Sequence, residues 1–304
     1  MDYVLTTDAL CKKYGSFRAL DSVSMHVPKG SIYGFVGKNG AGKTTLIRLI
    51  CGLQSATSGG YTLYERKNTD GRIDRSRRRM GAVVETPSIY SDMTAEDNLK
   101  QQYRVLGLPS FDGLREILEL VGLENTGKKK AKHFSLGMKQ RLGIAVALCG
   151  DPDFLVLDEP ANGLDPQGIV EIRELILKLN REHQITVLIS SHILDELSKF
   201  ATHYGFIDNG RIVKEISAEE LEDACRKCVS VEVTSVTALA HVLDNMGVEY
   251  KILDSRRADI YAKLNITQLT LALAEEDCEV LSVQENDESL ESYYMSLVGG
   301  GNHE

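Results

Sequence analysis

No apolar run in the 304 residues approaches the roughly 18 that a membrane-spanning helix needs. The N-terminus also lacks the apolar stretch of a secretory signal. A cytoplasmic protein is therefore expected, one that reaches a membrane only by docking on another chain. Positive charge is scarce too. Lys and Arg number 35 against 44 Asp and Glu, and the net charge of −9 argues against a nucleic-acid partner. Six cysteines (Cys11, Cys51, Cys149, Cys225, Cys228, Cys278) are scattered through a chain without a signal, so thiols are expected rather than disulfides. Cys225 and Cys228 have CxxC spacing, but no second pair or histidine cluster completes a metal site. What remains, 42% apolar and 26% charged, is a soluble globular composition with room for one large domain or two ordinary ones.

The most informative stretch lies near the start. Ile32, Tyr33, Phe35 and Val36 read as a short buried strand. Gly37, Lys38, Asn39, Gly40, Ala41, Gly42, Lys43 and Thr44 follow and fit G-x-x-x-x-G-K-[ST] at every fixed place. Thr45, Leu46, Ile47, Leu49 and Ile50 then carry helical spacing, with Gly52 placed to end the helix. A chance match is expected in roughly one chain in a hundred of this length. Strand, glycine-rich turn and helix form a nucleotide site: backbone N–H groups and the helix N-terminus cradle phosphates. Lys43 would reach the β- and γ-phosphates, and the Thr44 hydroxyl would ligate Mg²⁺.

Around this motif the chain alternates. Residues 3–36 read as a small antiparallel sheet, with Tyr14 on a turn where it could stack on an adenine ring. Residues 53–81 read as a polar connector whose arginines (Arg72, Arg75, Arg77, Arg78, Arg79) form a solvated helix face. From about 86 to 150 the pattern is helical, with Thr94 capping a helix and Ser135 at the start of another. Phe154–Leu157 is a buried strand ending in Asp158 and Glu159, and Ile185–Ile189 is another, ending in Ser190, Ser191 and His192. Such alternation gives a parallel α/β sheet with its chemistry at the strands' carboxyl edge, where Lys43, Asp158, Glu159 and His192 all map. Asp158 can hold Mg²⁺ through water, and Glu159 would point at the water attacking the γ-phosphate.

Together these residues resemble an ABC-type ATPase subunit, closest in style to those of bacitracin- and lantibiotic-type exporters. Tyr14 matches the aromatic A-loop, FLVLDEP the Walker B motif, Asp165 the D-loop and His192 the switch histidine. Phe134–Arg141 is similar to the LSGGQ signature, keeping Ser135 and Gly137 but carrying Leu136 and Met138 in place of glycine and glutamine. Glu85 stands at the Q-loop glutamine, where a carboxylate could still approach Mg²⁺. The resemblance covers residues 1–217 and implies a mixed-sheet ATPase domain with a helical subdomain at about 86–150. It also implies ATP and Mg²⁺ as cofactors, separate transmembrane permease subunits, and a second ATPase subunit. Ser135, Gly137 and Asp165 would act across that dimer, on the inner face of the membrane. The rivals are a soluble ATPase of this type working on DNA or ribosomes, and a nucleotide-dependent regulator. The lack of a long coiled coil and of a second P-loop counts against the first.

Residues 218–304 read as β-α-β-β-α-β, a small ferredoxin-like α+β domain, followed by a helix bearing Leu290, Tyr293, Tyr294 and Leu297 and a flexible Gly299–Gly301 tail. No chemistry is assigned to it. Support of the ATPase dimer, anchored by Tyr293, Tyr294 and Leu297, is preferred over a sensor role, and packing of those residues within their own domain is an equal alternative.

Overall fold

The computed structural model describes residues 2–225, 228–262, 265–286 and 290–299. The chain forms two compact units, Met1–Ala218 and Glu219–Glu304.

In the first unit β1 (Tyr3–Tyr14) and β2 (Phe17–Pro28) form a long hairpin, and β3 (Ile32–Val36) leads into α1 (Lys43–Ile50). Next come β4 (Ser58–Leu63), β5 (Arg66–Lys67), α2 (Ile73–Arg77) and β6 (Met80–Val83). Helices α3 (Ala95–Leu106), α4 (Leu114–Leu120) and α5 (Leu136–Leu148) occupy the region read as helical. The chain returns through β7 (Phe154–Asp158), α6 (Pro166–His183), β8 (Thr186–Ser191), α7 (Leu194–Leu197), β9 (His203–Asp208) and β10 (Arg211–Ser217). Two sheets result, an antiparallel one ordered β2-β1-β4-β5 and a six-stranded one ordered β10-β9-β3-β8-β7-β6. In the latter all neighbours are parallel except β10, which closes the edge as an antiparallel hairpin with β9. Strands β3 and β7 are buried at every position, as continuous apolar runs in a parallel sheet must be. Strand β8 lies between them, so the carboxyl ends of β3, β8 and β7 stand side by side.

Local sequence explains the helix starts. Thr94 accepts from the Asp97 N–H at 3.1 Å, as expected for α3. Asp165 accepts from the Gly168 N–H at 2.9 Å, and Pro166 supplies a fixed φ for the first turn of α6. That helix buries Ile172, Leu175, Ile176 and Leu179 on one face.

The polar connector of residues 53–81 is corrected. It contains β4, whose Leu63, Thr62, Tyr61 and Gly60 pair with Leu5, Thr6, Thr7 and Asp8 of β1. Its SGGYTL sequence turns only Tyr61 and Leu63 inward as buried side chains, too few to display an alternation. The arginine run is likewise only partly a solvated face. Arg72, Arg75, Arg78 and Arg79 are exposed, whereas half-buried Arg77 donates to the Tyr61 hydroxyl at 2.6 Å. Arg79 stacks 3.8 Å over the Tyr64 ring and pairs with Asp153.

Helix α8 (Ala218–Ala224) precedes β11 (Cys228–Val233), α9 (Val236–Met246), β12 (Tyr250–Ile252), β13 (Arg257–Ile260), α10 (Ile266–Glu275), β14 (Val280–Asn286) and α11 (Leu290–Gly299). The sheet order β12-β13-β11-β14, antiparallel throughout, is that of a ferredoxin-like unit. Val231, Val233, Leu239, Leu243, Ile260 and Leu273 are among its buried core. Asn265 caps α10 by accepting from Thr267 and Gln268. Tyr293 and Tyr294 are each only 8% exposed, which overturns the expectation that they anchor a neighbouring surface. They are covered within this chain, whereas Leu297 of the same helix is half-buried. Beyond Gly299, the expected glycine tail lies outside the described residues.

Candidate active site

The glycine loop leaves β3 at Gly37 and enters α1 through Gly42, whose φ of 112° is open only to glycine. A side chain at Gly37 would collide with the Ile207 carbonyl oxygen, 2.5 Å from where its Cβ would lie. The loop lines a cleft of about 310 Å³ together with Tyr14, Phe17 and Glu159. No acidic side chain occupies the first turn of α1, so the helix itself supplies no countercharge to its positive end at the cleft. Asn39, Gly40, Thr44 and Thr45 line the wall, while Ala41 is buried and its N–H closes a turn on the Lys38 carbonyl at 3.1 Å.

Lys43 is 5% exposed. Its ammonium donates to the carbonyls of Gly37 at 2.5 Å and Lys38 at 3.2 Å, holding the loop in its curve. A third neighbour is Glu159 Oε1 at 3.1 Å, close enough for electrostatic pairing but off the line of a hydrogen bond. The other oxygen of Glu159, Oε2, is 2.8 Å from His192 Nδ1. Glu159 thus stands between a fixed cation and an imidazole, at the cleft wall. Its φ of 50° is a left-handed conformation that costs a non-glycine residue about 1–2 kcal/mol. Strain of this kind persists where the surroundings over-determine it, often at active sites.

Asp158 ends β7 and is 1% exposed. Its Oδ1 accepts from the Ser190 hydroxyl at 2.6 Å, while Oδ2 is buried without a hydrogen-bond partner. An orphaned buried carboxylate oxygen is unfavourable by about 1–3 kcal/mol or more. A hydrated divalent cation is a group that would satisfy it. The residues present therefore fit Mg²⁺.

The remaining candidates lie apart from this cleft. Ser135 caps α5 through the Met138 N–H at 3.2 Å, and Gly137 follows in its first turn. Asp165 is occupied in capping α6. Glu85, with φ of 59°, pairs with Arg48 of α1 at 2.6 Å and does not line the cleft. Sequence reading missed two residues. Phe17 is 63% exposed at the cleft rim, paired in register with Tyr14 across the β1–β2 turn. Its only signal was an apolar ring placed on a turn. Ser190 gave no signal, because its partner is fixed by the β7–β8 register.

A family model described as ABC transporter matches residues 20–162. The bacitracin transport ATP-binding protein BcrA of Bacillus licheniformis is 38% identical over 304 residues, 99% of each chain. This chain belongs to the ABC transporter ATP-binding proteins. The lantibiotic transport ATP-binding protein SrtF of Streptococcus pyogenes is 43% identical over 212 residues, 70% of this chain and 90% of that one. Among solved structures, an ATP-binding cassette dimer bound to ADP and Pi in a post-hydrolysis state is 25% identical, with a TM-score of 0.63. That match covers 70% of this chain and 98% of the other. The ABC protein described here is accordingly an ATP-hydrolysing transporter subunit. Among its described residues no helix is long and apolar enough to cross a membrane.

Proposed function

We propose that this subunit powers export of a peptide antibiotic or similar drug-like molecule through separate transmembrane subunits, from the inner face of the membrane. Support comes from the relatives' own roles in bacitracin and lantibiotic transport, matched here over nearly the whole chain in one case. The observation that carries the ATPase half is the contact set of Glu159, which joins Lys43 of the phosphate loop to His192 at a single carboxylate.

In this reading Tyr14 and Phe17 receive the adenine at the cleft rim. Backbone amides of residues 37–45 and the Lys43 ammonium bind the phosphates. Thr44 and Asp158 would hold Mg²⁺, whose charge would neutralise that of the phosphates. Glu159 orients and deprotonates the attacking water, and His192 fixes the carboxylate and reaches toward the γ-phosphate. An arriving phosphate competes with Glu159 for Lys43, so binding itself frees the base. Ser135, Gly137 and Asp165, remote from the cleft of their own chain, serve the nucleotide of a second ATPase subunit. Two copies or two paralogues then make two complete sites.

Purification of the tagged chain from its native host in mild detergent tests this reading. A polytopic membrane protein should co-purify, and a peptide antibiotic such as bacitracin should stimulate ATP turnover of the complex. Recovery of ribosomes or DNA in place of a membrane protein would favour the soluble rival.

A further inference from the structure

We propose that Ser190 is a positioning residue for the ATPase reaction, its hydroxyl setting the Asp158 carboxylate and joining its own carbonyl in holding the Glu159 N–H. The proposal rests on the reading of Asp158 as the Mg²⁺-side carboxylate. Ser190 is fully buried on β8, where the preceding residues Val187, Leu188 and Ile189 are also buried. A buried strand of a parallel sheet ordinarily carries Val, Ile or Leu at such a place. A serine there gives up apolar packing, so its hydroxyl requires a partner.

It has two. A hydroxyl offers one donor and two acceptor lone pairs. The donor goes to Asp158 Oδ1 at 2.6 Å, and one lone pair accepts the Glu159 N–H at 2.9 Å, a proton it shares with the Ser190 carbonyl at 3.2 Å. The parallel register sets Ser190 opposite Asp158, which makes both bonds possible from one side chain. Two consequences follow. With Oδ1 engaged, Oδ2 is the oxygen left for a cation, and the carboxylate cannot rotate freely to offer the other. The hydroxyl adds to the Ser190 carbonyl's own bond to the Glu159 N–H, and together they help hold Glu159 at its left-handed φ, from which its carboxylate emerges between Lys43 and His192.

The test measures how much a metal strengthens nucleotide binding to the full chain. Affinity for a non-hydrolysable ATP analogue is determined in EDTA and again with Mn²⁺, for wild type, Ser190→Ala and Ser190→Thr. Loss of a group that orients a metal ligand typically weakens metal affinity by about 10- to 100-fold. Ser190→Ala should therefore reduce the Mn²⁺-dependent gain about tenfold while affinity in EDTA stays within about twofold. Ser190→Thr, which keeps the hydroxyl, should restore the gain. Full retention of the gain in Ser190→Ala overturns the proposal. An equal loss with and without Mn²⁺ also overturns it, since that marks a structural role only. If Ser190→Ala does not fold, Ser190→Val, which has no donor and suits a buried strand, takes its place with the same criteria. Absence of any gain in wild type would instead overturn the metal assignment of Asp158, a failure distinct from that of Ser190.

Discussion

Glu159 Oε2 lies 2.8 Å from His192 Nδ1, while Oε1 of the same carboxylate lies 3.1 Å from Lys43 Nζ. Three elements meet in this carboxylate: the end of β7, the segment after β8 and the first residue of α1. Each contributes one group, and none of the three motifs alone makes the site.

Glu159→Gln keeps the size and much of the hydrogen bonding but removes the base. Turnover should fall by at least ~10²-fold. Nucleotide affinity should hold or rise, because the variant no longer offers Lys43 a competing negative charge. Single-turnover hydrolysis and equilibrium ATP binding separate the two effects. Near-normal turnover would remove Glu159 from the role of base.

The Glu85–Arg48 pair joins the Q-loop position to the helix that follows the phosphate loop. Glu85 is largely exposed, and exposed ion pairs contribute about 0–1 kcal/mol. Its carboxylate can therefore leave Arg48 at little cost. Glu85→Gln should change unfolding free energy by less than about 1 kcal/mol and leave ATP binding nearly intact. The effect is expected in the coupled state, as a changed ratio of partner-stimulated to basal turnover. Identical stimulation in variant and wild type would make the position structural only.

At the cleft rim, Tyr14 donates its hydroxyl to Gln54, which holds the ring, and Phe17 stands paired with it in register. Stacking of a base on an aromatic ring is worth about 1–3 kcal/mol. Tyr14→Ala and Phe17→Ala should each raise KM for ATP by about tenfold or more with little change in kcat. GTP should suffer by a similar factor, since stacking is tolerant of the base. A Phe17 variant with unchanged KM would leave Tyr14 as the sole aromatic contact.

Much of the site was legible because its parts are contiguous in sequence. The glycine loop needs consecutive residues to curve around a phosphate, and Asp158 and Glu159 are neighbours at the end of an apolar strand. What escaped depends on pairing between distant segments. Strand β4 has two inward side chains and becomes a strand only beside β1. The bond from Ser190 to Asp158 needs the register of two parallel strands, and uniformly apolar runs such as FLVL and VLI do not specify register. The partial burial of Arg77 depends on Tyr61 of β4, invisible while that segment reads as a connector. The fate of Tyr293 and Tyr294 was open for the same reason: helical spacing shows that they share a face, not what covers it.

That burial changes the expectation for the second unit. With Tyr293 and Tyr294 covered, two of the three residues offered as anchors for a dimer are withdrawn from the surface, and Leu297 is half-buried. The unit has a core of its own around Val231, Leu243, Ile260 and Leu273, while every residue lining the nucleotide cleft precedes Ala218. A chain ending at Ala218 should therefore bind ATP within about twofold of the full protein and dimerise with ATP at the same micromolar concentration. Leu243→Ala in the full chain should destabilise the second unit by about 2–5 kcal/mol, as truncation of a fully buried leucine does. KM for ATP should not follow. Urea unfolding monitored by two probes, one in each unit, would separate the two cores. Loss of ATP-dependent dimerisation in the truncated chain would restore a dimer-supporting role and require a surface other than the two tyrosines.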